Sequence, residues 1–167
     1  MTCKSHFGKM KFSLSAIFLT LLGTTFTFAS PYSQSALSLN QTFSISALHP
    51  NNQNVQLRPL TIGQFGYVYA ESGVGSGSFT LKNSELFYND EFASLDKNGA
   101  LIFKSSGSPV SGFEAKQVSS VGYDLRLNNT FPVACPVVDT NGVYQIYFGE
   151  GNGSGNCFSV VTEASTP

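Results

Sequence analysis

The chain has no tryptophan, two histidines, three cysteines and little charge: only 11% of its 167 residues are Asp, Glu, Lys or Arg. Low charge in a chain that is 41% hydrophobic and rich in Phe and Tyr excludes a disordered polar tail and leaves a foldable domain. The length suits one domain with a sizeable core. No Lys or Arg cluster exists beyond the first residues and the formal net charge is −1, so the electrostatic footprint of a nucleic-acid binder is missing. No Gly-Lys-Ser or Gly-Lys-Thr occurs, which removes a phosphate loop of the Walker type. Ser76 and Ser154 each lie in Gly-Ser-Gly, but neither has the outer glycine spacing of a nucleophile elbow. After residue 30 no window carries the 3.6-residue apolar period of an ordinary helix.

What is present begins with a leader. Lys4, Lys9 and Lys11 precede the uncharged stretch FSLSAIFLTLLGTTFTFA, the layout of a secretory signal peptide, with cleavage expected after Ala29. Met10 is a second candidate start. Residues 1–29 are therefore expected to leave, residues 30–42 to form a Ser-rich lead-in and residues 43–167 to form one domain with no membrane contact after cleavage. The mature chain would hold six basic residues against ten acidic ones, a net charge of −4. It would also hold two cysteines, Cys135 and Cys157, which in an oxidising compartment predicts one disulfide. Sequons at Asn40, Asn128 and Asn152 add three candidate sites for N-glycans, a further secretory mark.

The domain itself breaks into strand-length runs rich in Phe, Tyr, Val and Ile, bounded by Gly, Asn, Asp, Ser and Pro: FSISAL, VQLRPLTI, FGYVYA, SFTL, ELFY, ALIFK, GFEAK, YDLRL, FPVAC, VYQIYF and CFSVV. They predict a single all-β domain, an antiparallel sandwich or barrel, with a β-trefoil-like arrangement as one form it could take. Asp96-Lys-Asn-Gly99 and Asp139-Thr-Asn-Gly142 each place Asn-Gly between apolar runs and predict tight type I′ hairpins. Neither string supplies the further ligands of a calcium loop, so no metal site is expected. YVYAESGVGSGSF and IYFGEGNGSGNCF share an aromatic strand, a Glu, a Gly-Ser tip and a following Phe, and predict one hairpin design used twice. In the second, glycines alternate from Gly149 to Gly155, but both dinucleotide-binding registers fail at the sixth position, Ser154 or Asn156, so no cofactor is expected.

Three functional classes survive. His49, alone after the leader and followed by Pro-Asn-Asn, reads as a turn residue and not as a general base. A glycan hydrolase needs two converging carboxylates, and Asp90, Glu91 and Asp96 are the densest acids, with Glu71, Glu114, Asp124 and Glu150 scattered. A carbohydrate-binding module needs an aromatic face, for which Tyr67, Tyr69, Tyr88, Tyr144, Tyr147 and Phe148 are candidates. Strand alternation puts Tyr67 with Tyr69 on one side, and sets Tyr144, Ile146 and Phe148 opposite Gln145 and Tyr147. Core packing claims most of these rings on general grounds.

The segment FPVACPVVDTNGVYQIYFGEGNGSGNCFSVVTEA, with Cys135-Pro136, the aromatic strand from Tyr144 to Phe148 and Cys157, resembles the end of the fungal phialide cell-wall (PhiA-like) protein family. LDKNGALIFKSSGSP and FSISALHPNNQNVQLRPL are similar to that family's short hairpin and first strand pair. The resemblance implies a secreted, wall-associated fungal protein linked to phialide and conidium development, with no enzymatic activity as its role. Wall polysaccharide, glucan or chitin, is the expected partner. The segment between the two cysteines is more Gly-rich here than in that family. The final VVTEASTP has no hydrophobic tail of the GPI type, so attachment is expected to be noncovalent or through other linkages. The reading is a non-enzymatic wall glycoprotein without catalytic residues, with a carbohydrate-binding module and then a small glycan hydrolase as alternatives.

Overall fold

A computed structural model describes residues 41–49, 51–118, 122–153 and 155–165. The expected signal peptide, the lead-in up to Asn40 and the Asn40 sequon lie outside the described residues. The described residues belong to one compact unit. Its described part is all-β: β1 (Thr42–Leu48), β2 (Arg58–Ile62), β3 (Val68–Ala70), β4 (Phe79–Lys82), β5 (Glu85–Tyr88), β6 (Glu91–Leu95) and β7 (Leu101–Lys104). These are followed by β8 (Phe113–Gln117), β9 (Gly122–Leu127), β10 (Val133–Pro136), β11 (Tyr144–Tyr147), β12 (Phe158–Ser159) and β13 (Val161–Ser165). A short 3₁₀ turn, Gln64–Gly66, joins β2 to β3.

All pairings are antiparallel, and β1 is their hub. Residues 44–48 pair with β13, Ser46 and Ala47 also pair with β2 on the opposite edge, and Thr42 and Phe43 pair with β4. From there one path runs β3-β2-β1-β4-β5-β6-β7. A bridge between Tyr67 and Ile102 ties its two ends together, so these seven strands form a closed, barrel-like circuit. The bridge covers part of the edge that β7 would otherwise present. β11, β10 and β12 extend the sheet beyond β3, and β13, β9 and β8 extend it from β1.

The alternation in β1 explains the core. Phe43, Ile45 and Ala47 point inward and are fully buried while their neighbours are not. Phe79 from β4 reaches Phe103 from β7, with ring centroids 5.8 Å apart, and Tyr88 from β5 packs 5.7 Å from Phe79. Aromatic rings from different strands thus fill the circuit. A second, smaller cluster of Ala100, Cys135 and Tyr147 lies apart from this core, with Tyr67, Val133 and Cys157 packed against it.

Two turn expectations are corrected. Asn98 and Asn141 do not take positive φ, whereas Gly99 (φ 83°) and Gly142 (φ 74°) do. β6 and β7 are joined through Leu95 and Leu101 by a five-residue connection, in which Asp96 Oδ1 accepts hydrogen bonds from the Asn98 and Ala100 amides. The aspartate side chain therefore stabilises a longer loop with one left-handed glycine, not a two-residue I′ turn. Two-residue turns occur elsewhere: Asn83-Ser84 between β4 and β5, and Asn128-Asn129 after β9, each with both residues at positive φ.

The paired-hairpin expectation also fails. β3 pairs with β2 and β11 and never with β4, so residues 71–78 form a crossover. β11 and β12 flank β10 on its two edges, so the Gly-rich stretch does not tip a hairpin. It carries the chain across β10 in ten residues, between Tyr147 and Phe158. Since β11 and β12 are both antiparallel to β10, they run parallel to each other, and a connection of that kind normally takes a dozen or more residues. The short path is consistent with Gly149, Gly151, Gly153 and Gly155 all standing at positive φ.

Candidate ligand face

The side of β2, β3, β11 and β10 turned away from the main core carries a row set by register. Thr61 lies opposite Tyr69, Tyr69 opposite Gln145, and Gln145 opposite Cys135. The neighbours of these residues, Leu60, Val68, Ala70, Ile146 and Ala134, are buried in the core, so alternation directs the row away from that core; Thr61 and Cys135 are covered there too, and Tyr69 and Gln145 are half-buried. Two residues along the strands, Tyr67 and Tyr147 lie on the same side. The face therefore gathers three of the six aromatic residues named from sequence, Tyr67, Tyr69 and Tyr147. Tyr144 and Phe148 go to the main core and Tyr88 packs against it.

The polar groups of this face are linked. The Tyr147 hydroxyl donates to Gln145 Oε1 at 2.9 Å, and Thr61 Oγ1 donates to Glu71 Oε1 at 2.9 Å. Asp96 spends Oδ1 on its own loop and turns Oδ2 toward the Tyr67 hydroxyl, 3.5 Å away and so only weakly bonded. Burial pushes the Tyr147 phenol above its ordinary pKa, and the charges of Asp96, Tyr67 and Tyr69 push the same way. Tyr69 is raised by burial, then by Tyr67 and Glu71. Both phenols are therefore neutral hydrogen-bonding groups at and well above neutral pH.

One border of the face is the disulfide. Val133 pairs with Ser159 and Ala134 with Phe158, so Cys135 and Cys157 stand directly opposite each other, with Cα atoms 4.2 Å apart, and are bonded. The Gly-rich crossover passes over this bond. A Cβ built on Gly151 would lie 2.7 Å from Cys135 Sγ and 2.8 Å from Cys157 Sγ, so only glycine fits there. The Asn152 side-chain oxygen lies 3.1 Å from Cys157 Sγ, a contact and not a hydrogen bond, because a bonded sulfur has no proton to give.

The opposite border is the β2–β3 turn. Phe65 stands at its tip at φ 59° and is 84% exposed. Sequence reading passed over Phe65 and gave Gln145 a side of its strand but no role. Two glycines framing an aromatic, Gly63-Gln-Phe-Gly66, were the available signal for the first.

The remaining sequence candidates are dispersed. Asp90 and Glu91 sit in the β5–β6 turn and at the start of β6. Glu114 pairs with Lys116 at 3.3 Å, Asp124 with Arg126 at 3.0 Å, and Glu150 is exposed in the crossover. Only Asp96 and Glu71 adjoin the tyrosines. Among the described residues no three His, Cys, Asp or Glu side chains come together as a metal-holding group. His49 is half-buried and packs edge-on to Phe158, with centroids 4.9 Å apart. Asn128 and Asn152 are both exposed.

No protein-family profile matches the chain, and no solved structure matches it. Two proteins of Schizosaccharomyces pombe, each described as an uncharacterized but2-like protein, are similar to it. One is 37% identical over 90% of this chain and 41% of its own length. The other is 36% identical over 95% of this chain and 36% of its own length. The chain thus spans about two fifths of the relatives it matches.

Proposed function

We propose that this is a secreted, non-enzymatic glycoprotein of a fungal cell wall, of the phialide-wall type that its C-terminal segment resembles. It holds wall polysaccharide, glucan or chitin, on the tyrosine face of β2, β3 and β11. The observation that carries this reading is the gathering of the half-buried Tyr67 and Tyr69 with Gln145, Glu71 and Asp96, backed by the buried Tyr147, on the side of the sheet turned away from the main core. Flat rings cover the apolar faces of sugar rings, and amide, phenol and carboxylate groups meet their hydroxyls. The disulfide suits an oxidising destination. Among the described residues no helix is long and apolar enough to cross a membrane. The relatives come from a fungus, as the wall reading needs.

The non-enzymatic part rests on what the carboxylates already do. Asp96 is tied to two backbone amides and Glu71 to Thr61, and the other acids named from sequence are dispersed. Sedimentation with insoluble chitin and β-glucan tests the whole reading. Saturable binding that is lost in Tyr67→Ala/Tyr69→Ala supports it. Release of soluble sugar that disappears in Asp96→Asn would instead identify a hydrolase, and absence of both binding and release would leave a purely structural wall role.

A further inference from the structure

We infer that Phe65 is the stacking residue of this face, presented by a rigid turn to the apolar side of a pyranose ring in a neutral wall polysaccharide; this rests on the binding function proposed above. Three observations converge on it. A bulky side chain at positive φ is a backbone outlier, and such strain persists only where the surrounding structure enforces it. The ring is also 84% exposed and makes no ring contact among the described residues, so the fold gains no packing from it. Finally, the turn is pinned. The Gly63 amide donates to the Tyr67 carbonyl at 2.8 Å, and the Gly66 amide donates to the Gly63 carbonyl at 3.3 Å. A Cβ at Gly66 would collide with the Phe103 carbonyl of β7, so the turn sits hard against the barrel. The backbone that carries this exposed phenylalanine is already fixed, so stacking a ligand on the ring costs little backbone entropy.

The surroundings select the ligand class. Tyr67 lies two residues downstream, and Tyr69, Gln145, Asp96 and Glu71 continue the surface in phenol, amide and carboxylate groups. The core of a protein interface is depleted of charged residues, whereas Asp96 and Glu71 adjoin the tyrosines here. An anionic membrane would meet two carboxylates on a mature chain of net charge −4. A neutral polyhydroxylated chain, with one apolar ring face and a rim of hydroxyls, matches both the ring and its polar border.

The absence of tryptophan makes the test direct, since Phe65→Trp gives the secreted, disulfide-bonded protein a single indole reporter. Titration with soluble β-1,3-glucan and chitin oligosaccharides should shift and saturate its emission. Phe65→Gly, which relieves the backbone, should keep or raise the melting temperature while weakening binding about tenfold or more. If the unmodified protein binds either oligosaccharide and Phe65→Gly binds as well, this inference falls and the tyrosine-face reading stands. If the unmodified protein binds neither, both fall. An emission shift with anionic phosphatidylserine vesicles and none with oligosaccharide would overturn the sugar assignment in favour of a membrane.

Discussion

Gly151 and Gly153 are two residues apart, both at positive φ, and differ only in what surrounds them. Gly151 lies on the two sulfurs of the disulfide, while Gly153 has open space where a Cβ would go. Alanine at Gly153 should cost only the left-handed backbone penalty, ~1 kcal/mol. Alanine at Gly151 adds a collision with atoms held by a covalent bond and should cost ~3 kcal/mol. Urea denaturation of the two variants under non-reducing conditions measures the difference. Equal losses would mean that backbone conformation alone demands glycine here. The need for flexible backbone was legible in the alternating glycines, but the disulfide under one of them was not, because nothing local in GEGNGSGN points to a partner strand sixteen residues upstream.

At the scale of elements, the strands that the sequence announces are those with large apolar residues at alternate places. β13 and β6 were missed. β13 reads VTEAS, and the residues it buries are Thr162 and Ala164, too small and polar to register as a core face. Yet it lies between β1 and β9, and Thr162 Oγ1 donates to the buried Leu125 carbonyl. β6, EFASL, hid in an acidic stretch that resembles a loop. Turn chemistry misled in the same way: Asn-Gly suggested I′ turns where the chain makes larger loops, the first of them built on the Asp96 side chain, and the I′-like turn at Asn83-Ser84 went unmarked because serine seldom takes that conformation. Ser84 at φ 62° is accordingly strained, and Ser84→Gly should stabilise the protein by ~0.5–1 kcal/mol, read as a higher urea midpoint at unchanged slope. The disulfide secures a weaker element. β12 has only two residues and pairs with β10 alone, so the 22-residue closure holds an element that pairing holds poorly. Replacing both Cys135 and Cys157 with alanine should cost ~3 kcal/mol by the chain-entropy account. Amide exchange should accelerate first around β12 and the crossover, and last in β1. Uniform acceleration would mean that the bond acts only through the unfolded chain.

For the whole molecule, the all-β class and the cysteine pairing were legible, because composition, strand-length runs and an even cysteine count do not depend on which strand meets which. The barrel was named beside the sandwich, but the choice between them was not legible, since closure depends on the Tyr67–Ile102 bridge between residues 35 positions apart. That same closure brings the Asp96 loop of β6–β7 against the tyrosines of β3 and β11, and it gives the molecule a pH dependence. Tyr147 and Tyr69 have folded-state pKa values raised above 10.0, chiefly by burial. Below the unfolded value both states are protonated, and the phenols contribute no pH dependence. As pH rises past about 10 the unfolded tyrosines lose protons first, so the folded state binds more protons and stability falls, until the folded phenols ionise too. Urea midpoints taken from about pH 8 to about pH 11 should therefore be level and then decline. Tyr147→Phe should lower the stability near neutrality by ~1 kcal/mol, through loss of the hydrogen bond to Gln145, and make the alkaline decline shallower. The paired effect separates titration from simple packing: a variant that is weaker at neutral pH but declines as steeply as the parent would show that Tyr147 does not carry the alkaline sensitivity.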